Sequence, residues 1–312
     1  RNGKFVFEGF VIDPEKGERL KLVAIDEWKN KSEPVTVEIK VNLEETIIAQ
    51  TYEQLFPNKV KGYLDNNKVA IIIGIEKYDQ SPNATYANID AKYFFEYTRR
   101  AFGVKKNNIN LLIDNDASLT KTYSALSKWL PSKITSNQTD LIVFFAGHGL
   151  ASSDGQELYL LLQDSDPDLL SLTALSRTKL FQTIVDLKPK SVTMFLDTCY
   201  SGVSRDEQML LASARPIRIV AGDEGEIPDN FTIFSATELD QISSGLKEAN
   251  HGIFSYYLMK GLEGKADTDK DKQITNGELL AYMDQNVSQK ASELGRQQNP
   301  SLAGDPDQVL MK

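Results

Sequence analysis

The chain has 312 residues, 41% hydrophobic and 25% charged, with a net charge of −9. That length accommodates one large domain or a domain with an appendage, and the composition is that of a folded globular protein rather than a disordered one. The acidic balance argues against a general nucleic-acid binder, which needs a basic surface to displace counterions, and suits a cleft that attracts a cationic ligand.

Residues 1–65 read as a small β-rich appendage. "KFVFEGFVID" (4–13) and "VTVEIKVNL" (35–43) carry β-branched and aromatic residues in partial period-two alternation, separated by charged, turn-rich stretches such as "DPEKGER". The pattern then changes. "VAIIIGI" (69–75) is a continuous apolar run, as in a strand covered on both faces. A helix with aromatic residues at helical spacing follows at 90–102, then a strand at 108–114 and a helix at 119–130 stopped by Pro131. "DLIVFFAG" (140–147) is a strand, and residues 176–187 are a helix with a Ser N-cap, closed before Pro189. Strands at 191–197 and 230–236 precede helices at 253–264 and 276–292. Repeated β-α-β units over 66–312 predict an α/β fold, a mostly parallel sheet sandwiched by helices. Residues 201–229 form a connection too long for a simple loop, which marks it as functional or mobile.

The apolar runs are far too short to span a bilayer, so no membrane segment is expected. The single cysteine excludes an internal disulfide. The chain begins with Arg and shows no signal-peptide pattern, which leaves its compartment open, and nothing in the sequence fixes its oligomeric state.

The rare residues carry the chemistry. Cys199 is the one cysteine, and His148 is one of two histidines. His148 follows the strand at 140–147, and Cys199 follows the strand at 191–197. Ligands of open α/β sheets collect beyond the carboxyl ends of the strands, so neighbouring strands would bring these two together. An imidazole beside a thiol makes the nucleophilic thiolate available. Gly147 and Gly149 let the backbone turn tightly beside the histidine, and the N–H groups of Gly149 and Cys199 are suited to hold an oxyanion. Taken singly, a buried cysteine is core and a histidine between glycines is a turn. Together, each with its glycine at the end of a buried strand, they read as a catalytic pair.

"VFFAGHG" and "FLDTCYSG", with the His about 50 residues upstream of the Cys, resemble the caspase-like cysteine peptidases, the clan of caspases, clostripain and gingipain. The metacaspase and bacterial caspase-like branch is the nearer likeness. It extends over about residues 68–305, through "VAIIIGIEKY", "NIDAKYF" and "FTIFSA…DQISS…HGIFSYYLMKGLEG". The resemblance implies Cys199 as nucleophile, His148 as general base and acid, and an oxyanion hole of the Gly149 and Cys199 N–H groups. The implied reaction is hydrolysis of a peptide bond in a protein or peptide substrate through a thioester. Asp197 stands where metacaspases put an acid for the P1 side chain, and Asp90 maps to that pocket's second acid, its alternative being an N-cap. Two carboxylates there favour Arg or Lys at P1. Ala146 departs from the serine many metacaspases carry, which leaves Arg against Lys undecided. Ser235 and Gln241 follow a strand that borders the substrate groove in such folds. Arg205, Arg215 and Arg218, after the nucleophile, are candidates for self-cleavage.

"DTDKDKQITNGE" resembles an EF-hand calcium loop, with Asp267, Asp269 and Asp271 at positions one, three and five, Gln273 giving a carbonyl at seven and Glu278 at twelve. Lys272 replaces the turn glycine and Lys270 adds positive charge, so the alternative is a solvated acidic turn. His251, before the helix at 253–264, reads as a helix-start residue rather than a second catalytic histidine. Two non-peptidase readings stand beside the enzyme: a silent caspase-fold module binding basic segments of a partner, and a calcium-dependent structural module.

Overall fold

Strands that are apolar without alternation must be covered on both faces, and the molecule is organised around several of these. The computed structural model describes residues 18–23, 31–33, 35–39, 52–198, 200, 227–236 and 245–311. The chain divides into two compact units, Arg1–Tyr52 and Glu53–Lys312. In the first, β1 (Glu18–Leu22) pairs antiparallel with β2 (Val35–Ile39). β2 falls within the strand expected at 35–43, whereas the strand expected at 4–13 lies outside the described residues. β1 was not expected, although its last four residues, "RLKL", alternate charged and apolar at the strand period.

The second unit runs β3 (Lys68–Gly74), α1 (Ala87–Arg100), β4 (Ile109–Ile113), α2 (Leu119–Ser124) and β5 (Asp140–Ala146). Next come the short β6 (Gly149–Ala151) and β7 (Leu158–Leu160), the single turn α3 (Leu170–Thr173), β8 (Leu175–Ser176), α4 (Arg177–Asp186), β9 (Ser191–Asp197) and β10 (Phe231–Ser235). The hairpin β11 (Gly245–Leu246) and β12 (His251–Gly252) leads into α5 (Ile253–Lys260). β13 (Ile274–Thr275), α6 (Asn276–Glu293), β14 (Ser301–Ala303) and β15 (Val309–Met311) complete it. Six strands form one sheet in the order β14-β10-β9-β5-β3-β4. All its pairings are parallel except that of the edge strand β14.

The two faces of the central strands show why apolar residues stand on both. Ile71, Ile73, Val143 and Phe145 join Leu126, which follows α2, and Leu180 and Ile184 of α4 in one buried cluster. The alternate residues meet α1 on the other face. Phe94 of α1 stacks on Phe144 at 4.3 Å between centroids, and Phe195 stacks on Phe234 at 5.2 Å. α5 packs against both α1 and α6.

Residues 53–65 belong with this unit rather than with the appendage. Tyr256 Oη donates to the Glu53 carbonyl at 2.8 Å and Lys260 Nζ to the Gln54 carbonyl at 2.8 Å, while Leu55 and Val60 are buried. Among the described residues no helix is long and apolar enough to cross a membrane.

Candidate active site

The register aligns the carboxyl ends of three adjacent strands, with Gly74 of β3 opposite Ala146 of β5 and Ala146 opposite Asp197 of β9. His148 therefore leaves the sheet beside the residues that lead to Cys199. Cys199 itself lies outside the described residues, but Thr198 and Tyr200 do not. A side chain on Gly149 would stand 2.8 Å from Thr198 Oγ1 and 2.8 Å from the Tyr200 ring. The turn after β5 thus lies directly against both chain neighbours of the cysteine. Neither Gly147 nor Gly149 is among the glycines in the left-handed region. Glycine is required here by close approach rather than by the tight turn expected from the sequence.

His148 is buried, with 1% exposure, and three groups fix it. Its N–H donates to Tyr78 Oη at 2.8 Å, and its carbonyl accepts from Leu161 N at 2.9 Å. Its ring Nε2 lies 2.9 Å from the Pro82 carbonyl. A carbonyl only accepts, so Nε2 carries the proton and Nδ1 is the basic nitrogen of the neutral ring. The Tyr78 ring covers the imidazole at 4.8 Å.

Tyr78 and Pro82 sit on the loop after β3, which is itself held from several sides. Asp114 Oδ1 accepts from the N–H groups of Glu76 at 2.8 Å and Lys77 at 3.1 Å, and its Oδ2 accepts from Asn88 Nδ2 at 2.8 Å. Gln163 Nε2 donates to Asp79 Oδ1 at 2.7 Å. Sequence reasoning missed Tyr78, Pro82 and Asp114. A backbone carbonyl leaves no side-chain signature, and the one available sign was a Tyr and a Pro shortly after a buried strand.

Asp90 and Asp197 are both wholly buried. Asp90 is not the N-cap of α1. It lies within the first turn, where its own N–H donates to the Tyr86 carbonyl at 2.9 Å. Its Oδ1 meets His251 Nδ1 at 2.6 Å and its Oδ2 accepts from Gly252 N at 3.0 Å. Asp197 Oδ2 accepts from Ser255 Oγ at 2.5 Å. The two acids of the expected pocket therefore meet one stretch, residues 251–255, at the start of α5. His251 is buried, as the reading of it as a helix-start residue did not foresee. Ser235 ends β10 at the same sheet edge, opposite Leu196. Gln241, Arg205, Arg215 and Arg218 lie outside the described residues.

Of the expected calcium ligands, Asp267, Asp269 and Asp271 come together, one carboxylate oxygen of each within 4.8 Å of the others. Lys272 takes the left-handed conformation, φ 68°, that a glycine would adopt at the turn. Glu278 does not join the cluster. It forms a capping box with Thr275 at the start of α6, and its other oxygen accepts from Thr268 N and Oγ1. These bonds, the Thr275 N–H foremost, hold its carboxyl below the usual range. The Gln273 side chain donates to Asp271 Oδ2 at 3.0 Å. The T-x-x-E signature of the capping box was present in the sequence at Thr275 to Glu278.

No curated protein sequence matches the chain. A crystal structure of caspase-1 from Spodoptera frugiperda is similar in fold, at 17% identity and a TM-score of 0.51, covering 84% of this chain and 95% of that one. The family model described as the caspase domain matches residues 67–310. That span takes in every strand of the six-stranded sheet as well as both motifs. The chain accordingly belongs to the caspase-domain family of cysteine peptidases.

Proposed function

We propose that this protein is a cysteine endopeptidase of the metacaspase and bacterial caspase-like kind, cleaving after Arg or Lys with Cys199 and His148. The observation that carries the reading is the fixed imidazole, with Nε2 committed to the Pro82 carbonyl and the next residue against both neighbours of Cys199. In the reaction His148 Nδ1 takes the thiol proton, and the thiolate sulfur attacks the scissile carbonyl carbon. The N–H groups of Gly149 and Cys199 hold the oxyanion. The proton passes from His148 to the leaving amine, and water, activated by the same nitrogen, hydrolyses the thioester. Asp197, with Asp90 in the same neighbourhood, supplies the negative field for a basic P1 side chain.

The test is turnover of fluorogenic peptides differing only at P1. Arg or Lys peptides should be cleaved and Asp peptides left intact, with the activity lost in Cys199→Ala. Preference for Asp, or activity surviving in Cys199→Ala, would overturn the reading. The same variant should remain one intact chain on incubation, since cleavage at Arg205, Arg215 or Arg218 would be the enzyme's own.

Calcium, where it binds, would be held by Asp267, Asp269 and Asp271. The donor set fits a hard cation, and the buried Asp267 Oδ1 has no hydrogen-bond partner among the described residues. The ion would neutralise the loop between α5 and α6, at the opposite end of α5 from Asp90 and Asp197, and would take no part in bond cleavage. With Glu278 committed to its cap, affinity in the weak range of about 10⁻⁴–10⁻³ M is expected by calorimetry. Asp267→Ala should abolish the heat, and a wild-type protein with no heat at millimolar calcium would refute the site.

A further inference from the structure

A carboxylate withdrawn from water is costly unless donors meet its oxygens. At the expected P1 pocket those donors come from β12 and the first turn of α5. His251 and Gly252 serve Asp90, and Ser255 serves Asp197. All three side chains on the path from α1 to β9 are buried, with Asp90 and Ser255 at 0% exposure and His251 at 5%. Tyr93 packs edge-on against the imidazole at 4.8 Å between centroids, which fixes the ring plane. The start of α5 is thereby fastened twice, to α1 through the His251–Asp90 pair and to the end of β9 through Ser255.

We propose that His251 and Ser255 are positioning residues that set selectivity at P1. The His251–Asp90 pair holds the first turn of α5 in the register at which Ser255 Oγ orients the Asp197 carboxylate. The inference rests on the reading of Asp197 as the P1 acid. A hydroxyl donating to Oδ2 fixes the plane of that carboxylate and with it the direction of the lone pairs on Oδ1. A guanidinium is planar and pairs with a carboxylate in a fork, so it senses that plane, whereas an ammonium acts as a point charge and does not. Ser255 therefore bears on Arg far more than on Lys. Neither His251 nor Ser255 touches the scissile bond, so the rate of bond cleavage once substrate is bound is unaffected.

The experiment is steady-state kinetics on Arg and Lys P1 peptides, with melting curves to establish folding. Ser255→Ala should raise KM for the Arg peptide about tenfold, the scale of a lost hydrogen bond to a charged group. KM for the Lys peptide should change less than about threefold and kcat for either should be unchanged, so the Arg-to-Lys ratio falls. His251→Leu should shift the ratio the same way, and His251→Asn, which keeps a neutral N–H donor for Asp90, should restore most of it. If the wild type prefers Arg or Lys but Ser255→Ala leaves the ratio within about twofold, or lowers kcat equally for both peptides, the positioning role is wrong and the P1 reading stands. If the wild type shows no preference for basic P1, the P1 reading fails and this inference falls with it.

Discussion

Replacing His148 by Ala is expected to lower kcat by about 10²–10⁴-fold in the protein that remains folded, the usual contribution of a positioned general acid–base, beside the loss of stability that follows from emptying a buried site. The imidazole is built for proton transfer rather than for packing alone. Its Nε2–H is taken by the Pro82 carbonyl, which forces the tautomer with a basic Nδ1, and the Tyr78 hydroxyl holds the backbone from the other side. Alkylation of Cys199 by iodoacetamide should slow in the same variant, because less thiol is present as thiolate without the base. Tyr78→Phe removes the acceptor for the His148 N–H but leaves the imidazole in place, and should cost far less than His148→Ala. Equal alkylation rates in wild type and His148→Ala would remove the dyad and favour a silent binding module.

The framework was legible where burial is two-sided. The runs at 69–75, 140–147, 191–197 and 230–236 carry apolar residues on both faces because one set of side chains meets α2 and α4 and the other meets the aromatic stack with Phe94. α4 was legible because Ser176 caps it in the expected way, accepting from Lys179 N at 3.1 Å. The start of α1 was placed at Asp90 rather than Ala87, because its N-cap, Tyr86, adopts φ 73° and makes no side-chain cap bond. β6, β7 and β8 were missed because two or three residues are too few to show a period.

The site was legible only in part, for a related reason. The sequence motifs name His148, Asp197 and the glycines around them, but not the groups that hold them. Asp90 finds His251 at the far end of the chain's α/β pattern, and a pairing of that range has no local signature. Pro82 acts through its carbonyl, a group every residue has. Glu278 was read as a ligand because its spacing fits a calcium loop, while the same spacing also fits a capping box, and its side chain caps. Two local patterns competed for one carboxylate, and spacing alone does not choose between them.

The largest effect on stability is expected at Glu263, far from the dyad in sequence. Glu263 lies just after α5 with its side chain 9% exposed, next to Lys260 at 4%. Its Oε2 accepts from Lys260 Nζ at 3.0 Å, and its Oε1 accepts from Tyr97 Oη and from the Phe56 N–H, each at 2.5 Å. Burial, with Glu263 beside it, pushes the Tyr97 hydroxyl well above its ordinary range, so it remains a donor. One carboxylate thus fastens α5, α1 and the segment at residues 53–56. Lys260 has two further oxygens, the Gln54 carbonyl at 2.8 Å and Glu53 at 3.4 Å, but Glu53 is 64% exposed and screened by water. Glu263→Ala therefore leaves a buried ammonium without its enclosed counter-charge and orphans two donors. Breaking such a pair from one side costs about 3–5 kcal/mol, which in a unit of this size lowers Tm by about 10 °C. Removing both charges together, with Lys260→Met and Glu263→Leu, should recover the part of that loss that comes from the stranded ammonium, while Tyr97 Oη and the Phe56 N–H still lack their acceptor. A shift in Tm below about 2 °C for Glu263→Ala, or a double variant less stable than the single one, would mean that the contact contributes as a surface salt bridge does and that the segment at 53–56 is held by Leu55 and Phe56 packing instead.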